Sequence, residues 1–375
     1  MKPLSKFWQD WGKRLLTTSL VALLLLPLSM TLSGAGWNTN SLSSGRKSQL
    51  AQGDAITDPT VILRYALPID NQEVRQLQGS IEGISTSLRA KRWSTVTRDL
   101  KDAALILNYG KDEILADVPS DRQGEAQTLL AQVTEDVKQL QEAAENKDKP
   151  VVWEVRRRIL NALTDLEELM VTGFPFTVPE DYANLPQLKG RATVEMETTQ
   201  GTLTIVVDGY NAPVNAGNFV DLVQRGFYDG LEFFQREGFV VQTGNPPGEE
   251  EGFIDPKTGE YRAIPMEIRV QGDDEPIYGI TLEDAGLYLA QPALPFNAYG
   301  ALALARPSGD ANGGSSQVFF FLFDRELTPP GYNLMDGRYS VFGYVVEGQD
   351  VLSKLTNQDQ VIHARVIQGA DNLEV

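Results

Sequence analysis

The sequence predicts a multidomain α plus β protein, an N-terminal helical bundle followed by a closed, mostly antiparallel β-barrel. Three observations carry that prediction. Apolar residues recur every three to four positions between Thr57 and Gly173. Beyond Lys189 the period falls to two. Between them FPFTVPEDYANLPQLK, Phe174 to Lys189, holds three prolines and follows neither period. At 375 residues and 42% hydrophobic content the chain has material for two cores.

The elements follow in order. Lys2, Lys6, Lys13 and Arg14 precede the apolar run LVALLLLPLSMTL, and the small residues Ser33, Gly34 and Ala35 follow it. This is the pattern of a secretory signal peptide over residues 1–35, cut near Ala35. The alternative is an uncleaved anchor, but the run is short for a bilayer span and Pro27 interrupts it. Residues 36–56 are polar and rich in Ser and Gly, as in a flexible leader. Residues 57–173 then carry four apolar stripes: Val74 to Leu88, Trp93 to Leu107, Leu129 to Ala144 and Val152 to Met170. Each is too short to stand alone as a coiled coil, so four helices burying their stripes on one another is the economical solution. Residues 174–188 are the linker.

From 189 to 375 the barrel is built from short β-rich runs, the first of them alternating. ATVEMET turns at TQG into TLTIVVD, and a helix opens at Pro213. GALALA, VFFFLF, YSVFGYVV and VIHARVIQG supply further strands, the last after a short helix near Val351 to Leu355.

Composition removes several classes of chemistry. The chain has no cysteine and a single histidine, His363, so disulfide frameworks, thiol nucleophiles and the usual zinc spacings are excluded. The net charge of −18 repels nucleic acid and anionic lipid. No nucleic-acid partner is expected, and membrane contact is expected only through the signal segment.

One stretch stands out. FFQREGFVVQTGNP sets Arg236 among aromatic and β-branched residues, six positions before Gln242. A cation in so apolar a setting is costly unless it is paired or used. In order and spacing, NFVDLVQRGFYDGLEFFQREGFVVQTGNP, GALALA, GGSSQVFFFLF and DGRYSVFGYVVEG resemble the defining blocks of the cyclophilins. That family consists of eight-stranded barrels that isomerise the bond preceding proline. The resemblance spans residues 189–375, and the layout as a whole is similar to the large thylakoid-lumen cyclophilins of plants and cyanobacteria.

The resemblance implies a peptidyl-prolyl isomerase, a folding or assembly factor whose substrates are proline-containing polypeptides. It points to photosystem II components as clients, to the thylakoid lumen or periplasm as location, and to no cofactor or metal. Arg236 matches the catalytic arginine and Gln242 the glutamine that holds substrate backbone. Phe239, Val240, Phe319 and Met335 match the proline pocket, while Ala305 and Gln317 match the peptide groove. Tyr339 stands at the rim where the family has histidine, Leu334 replaces a tryptophan, Arg306 replaces a groove asparagine, and the turn after Arg236 is two residues shorter.

Plain structural readings stand beside these. Phe239, Val240 and Phe319 suit a core, as do Phe320 and Phe321; Gln242 could satisfy backbone groups, and Arg236 could pair with an acid. His363 is given no catalytic part. The insertion at 246–284 holds eleven acidic and three basic residues, which reads as a solvated loop or as a docking surface for a basic partner. The alternative to the enzyme is a catalytically weak or inactive cyclophilin-fold chaperone or scaffold that binds peptides.

Overall fold

The computed structural model describes residues 56–236, 238–248, 251–322 and 334–375, and of Gln235 and Arg236 the backbone alone. The expected signal peptide and nearly all of the leader lie outside the described residues.

Helix α1, Pro59–Tyr65, starts where the Asp58 carboxylate accepts the Thr60 N–H at 3.0 Å, with proline in its first turn. Four long helices follow, α2 (Gln72–Arg89), α3 (Trp93–Tyr109), α5 (Gln123–Glu145) and α6 (Lys149–Met170), with the short α4 (Lys111–Ala116) between the second and third. Asn71 caps α2 through the Val74 N–H at 2.9 Å, and Asp148 caps α6 through that of Val151 at 3.3 Å. Pro150 falls inside the first turn of α6, where a missing N–H costs nothing. Helices α2 and α5 end on Lys91 and Lys147 in the left-handed region. There the N–H of Arg92 reaches the Ser87 carbonyl, and that of Asp148 the Ala143 carbonyl, each at 2.8 Å. Helices α2, α3, α5 and α6 pack as successive neighbours round a core that includes Leu77, Ile81, Leu100, Val133, Leu140, Ile159 and Leu163.

The second half contains β1 (Gln187–Leu188), β2 (Arg191–Thr198), β3 (Gly201–Asp208), α7 (Pro213–Gln224), β4 (Phe234–Arg236) and β5 (Val240–Thr243). It continues through β6 (Glu267–Ile268), β7 (Ile277–Tyr278), β8 (Ala301–Leu304), β9 (Val318–Phe321), β10 (Val341–Glu347), α8 (Gln349–Leu352), β11 (Val361–Gln368) and β12 (Leu373–Glu374). Eight strands form one antiparallel sheet in the order β11-β2-β3-β10-β8-β9-β5-β4. Its two edges do not pair as a ladder. They meet at the isolated bridge between Glu232 and Gln360, flanked by bonds such as Phe233 N–H to the Asp359 carbonyl at 2.9 Å. The closed barrel of expectation is therefore seen as a curled sheet stitched at one seam, because β4, at three residues, is too short to supply a full edge. Within the expected linker, Gln187 and Leu188 pair with β12.

Strand alternation splits the side chains between two faces. Val194, Met196, Leu203, Ile205, Val241, Leu302, Phe320 and Phe342 fill the interior with Phe219 and Leu222 of α7. Val240, Ala301, Ala303, Phe319, Phe321, Val341 and Tyr344 form a second cluster on the outer face, where Ile62, Leu63 and Ala66 and also Leu294 and Phe296 join it. Helix α1 therefore serves the sheet, although its sequence lies within the stretch expected to be bundle. Arg64 on the same helix pairs with Glu82 of α2 at 3.0 Å, so the element faces both ways. Arg191 adds a clamp: it binds Asp208 at 2.7 Å and Glu168 of α6 at 3.3 Å, and donates to the Leu63 carbonyl.

The acidic insertion departs from a solvated loop. Met266, Ile268, Val270 and Leu282 bury one another. Glu267, 1% exposed, accepts the N–H groups of Val214 and Asn215 at 3.0 and 2.9 Å, in the first turn of α7. Arg262, also buried, pairs with Asp221 at 2.6 Å and lies over the Phe253 ring. Charge count exposes a segment only when its charges lack partners, and Glu267 and Arg262 have them.

Candidate active site

Register assembles the site. In β5 against β9, Val240 stands opposite Phe321 and Gln242 opposite Phe319; in β8 against β9, Ala303 stands opposite Phe319. The pleat gives Val240, Gln242, Phe319 and Ala303 one face, the outer one. In β4 against β5, Arg236 stands opposite Val240 and Phe234 opposite Gln242, which gives them the same parity. The side chain of Arg236 lies outside the described residues. Gly238, between the two strands, adopts φ +75°, which fits the short connection.

Against this face opens a cleft of about 740 Å³ lined by Phe239, Val240, Gln242, Ala305, Gln317, Phe319, Met335 and Tyr339, the residues matched in the sequence to the prolyl pocket, its rim and the peptide groove. Its apolar end is an aromatic stack. The Phe319 ring lies nearly parallel to Phe296 at 6.0 Å and meets the Tyr339 ring edge-on at 5.4 Å. Phe239, 39% exposed, stands edge-on to Phe321 at 6.1 Å at the mouth. Of the two phenylalanines read as core, Phe320 is in the interior and Phe321 is buried in the outer cluster beside the cleft.

The polar end is a relay of amides. Gln242 Nε2 donates to Gln317 Oε1 at 2.6 Å, and Gln317 Nε2 donates to the Glu251 carbonyl at 2.6 Å and to Asn245 Oδ1 at 3.2 Å. The main chain backs it, with the Ala305 N–H on the Gln317 carbonyl at 2.9 Å. Gly244 makes the exit from β5 possible: at φ +93° a Cβ would stand 2.3 Å from the Ser316 carbonyl oxygen.

Sequence reasoning missed part of this wall. Asn245, Glu251 and Tyr261 come from the insertion or its threshold and line the cleft. The Tyr261 hydroxyl donates to the Gly313 carbonyl at 3.0 Å, and burial pushes its phenol above the ordinary value. A tyrosine inside an acidic segment was the one available signal. Leu334, placed at the rim by the resemblance, is 69% exposed and outside the lining. No residue of α1 to α6 lines the cleft either. His363 is an exposed member of β11, 2.8 Å from Asp229, and also lies outside it. Among the described residues no cluster of His, Cys, Asp and Glu could hold a metal ion, and no helix is long and apolar enough to cross a membrane.

Residues 58–171 match the family model for the CYP38-like peptidyl-prolyl cis-trans isomerase, PsbQ-like domain, and residues 193–372 that for the cyclophilin type peptidyl-prolyl cis-trans isomerase. The chain is 62% identical over 362 residues to a putative thylakoid lumen peptidyl-prolyl cis-trans isomerase of Synechocystis, covering 96% of each. It is 44% identical over 337 residues to the chloroplastic isomerase CYP38 of Arabidopsis thaliana, covering 87% of this chain and 77% of that one. With CYP37 of the same plant it shares 31% over 340 residues, 84% of this chain and 70% of the other.

Proposed function

This chain belongs to the cyclophilin-type peptidyl-prolyl cis-trans isomerases, and we propose that it turns Xaa-Pro bonds of exported proteins in the cleft between Phe319 and Gln317, with Arg236 as catalytic residue. The barrier to rotation is about 18–20 kcal/mol because the amide nitrogen shares its lone pair with the carbonyl. In the twisted state that sharing is lost and the nitrogen can accept a hydrogen bond. A fixed guanidinium donor stabilises this state over either planar isomer, and no covalent bond need break. The prolyl ring would sit on Phe319 and Val240 between Phe239, Met335 and Tyr339. Gln242, Gln317 and the Ala305 backbone would hold the peptide alongside.

The observation that carries this reading is the convergence of eight residues, from four separate blocks of sequence, on one cleft that Phe234 of β4, the strand carrying Arg236, also lines. The single seam bridge supports reading the curled sheet as the family's eight-stranded barrel. The signal-like segment and the names of the Synechocystis and Arabidopsis relatives support a thylakoid-lumen location. Photosystem II subunits are the clients we propose, from the likeness to the large lumenal cyclophilins.

The test is exchange of an Xaa-Pro peptide, followed by NMR, with the full chain and with Arg236→Ala. Acceleration by the parent and its loss in the variant is expected; equal acceleration by both would remove Arg236 from the mechanism. One observation favours a second reading, a peptide-binding chaperone without useful catalysis. Leu334 is turned out to solvent and is not among the residues that line the pocket, so it does not help exclude water from the prolyl site. Peptide binding without acceleration by the parent would establish it.

A further inference from the structure

Arg306 is the unexplained charge of this cleft. It lines the cavity in an acidic chain, and among the described residues no carboxylate stands within ion-pair distance of it. Its guanidinium is nevertheless fixed. Nη1 donates to the Pro307 carbonyl at 3.3 Å and Nη2 to the Arg338 carbonyl at 2.9 Å, while the plane rides over the Tyr339 ring at 5.1 Å. Its Nε is buried without a hydrogen-bond partner. The neighbouring Arg338 is already matched by Glu283 at 3.1 Å, so among the described residues Arg306 is left as the cation of this rim.

Two main-chain bonds and a ring hold a guanidinium in place without neutralising it. From these contacts we propose that Arg306 determines specificity, by favouring peptides that carry an acidic side chain close to the proline. The proposal rests on the cleft being the peptide site. The Tyr339 ring is 5.4 Å from that of Phe319 and 5.1 Å from the guanidinium. The cation is thus within roughly 10 Å of the prolyl floor, about three residues of extended chain. Glu251 lines the same cleft without pairing with Arg306, so the preference is positional: an acid is favoured beside Tyr339 and disfavoured beside the insertion.

The experiment uses the full chain and pairs of Xaa-Pro peptides that differ only in Glu or Gln, placed one, two or three residues from proline on either side. One NMR titration gives both the dissociation constant and the exchange rate. At one placement the Glu peptide should bind about three- to fivefold more tightly than its Gln partner, the size of a partly exposed ion pair. The ratio should fall to one in Arg306→Gln and at 1 M salt, and recover in part in Arg306→Lys. A ratio of one at every placement in the parent, or a ratio that survives Arg306→Gln, overturns the proposal. Absence of accelerated exchange with the ratio intact overturns catalysis and leaves the charge preference standing. No binding of any peptide overturns both.

Discussion

Gln242 and Gln317 should act as a unit, and a double-mutant cycle measures it. Gln242 is 7% exposed and gives its amide hydrogen to Gln317 at 2.6 Å, so one rotamer is selected before any peptide arrives. Gln317 is held in turn by the Glu251 carbonyl at 2.6 Å. A neutral side-chain hydrogen bond contributes about 1 kcal/mol net, or roughly fivefold in an equilibrium or rate ratio. Gln317→Ala frees Gln242 to rotate and should lower kcat/KM by about that factor, mostly through KM, since the bond orients backbone binding in ground and transition states alike. Gln242→Ala should cost as much or more. The double variant should be little worse than Gln242→Ala alone, leaving a coupling of about 1 kcal/mol. The assay is peptide exchange over a range of concentrations, with urea midpoints to confirm folding. Losses that add to within about 0.3 kcal/mol would show that the two amides act independently, and the relay would have no functional meaning.

Other consequences follow from buried charges away from the cleft. Arg191→Met strands Asp208, whose side chain is fully buried, and cuts the tie to Leu63 and Glu168; unfolding in urea should show a loss of about 3–5 kcal/mol, much of it regained by adding Asp208→Asn. Burial pushes the Glu267 carboxyl from 4.5 up to about 7, against the opposing pull of the Asn215 and Val214 N–H groups. Because the folded state holds that proton more tightly than the unfolded chain, the contribution is complete below about pH 4.5 and disappears as pH rises through about 7. At 1.36 kcal/mol per pH unit it amounts to at most about 3 kcal/mol. Urea midpoints for Glu267→Gln between pH 4.5 and 7.5 should therefore fall less steeply than those of the parent, and an unchanged slope would count against the assignment.

Much of the molecule can be read from the chain alone. Every long helix sits over its apolar stripe, because a repeat of three to four residues can bury one face only as a helix. Strands β2 and β3 sit where the period is two, while β5, β8 and β9, buried on both faces, sit in β-rich apolar runs. The cleft residues were legible by resemblance, since local blocks such as FVVQTG and SSQVFFF carry their own register into the sheet. What was not legible depends on partners distant in sequence. Tyr261 and Glu251 reach the cleft only because Glu267 and Arg262 find buried partners that draw the insertion onto α7. Leu334 at the rim was assigned by correspondence with a tryptophan, and position in a motif does not fix which way a side chain turns.

The sequence by itself determined the division into helical and β-rich halves and the absence of thiol chemistry, because periodicity and composition are properties of neighbouring residues; its resemblance to the cyclophilins named eight of the residues that gather in the cleft. Tertiary structure alone decided that α1 belongs to the sheet as much as to the bundle, that part of the acidic insertion is a packed wall, and that Arg306 is a fixed cation without a matching acid among the described residues. Each of these depends on which groups meet across dozens of residues or more, and on the cost of burying a charge that meets none.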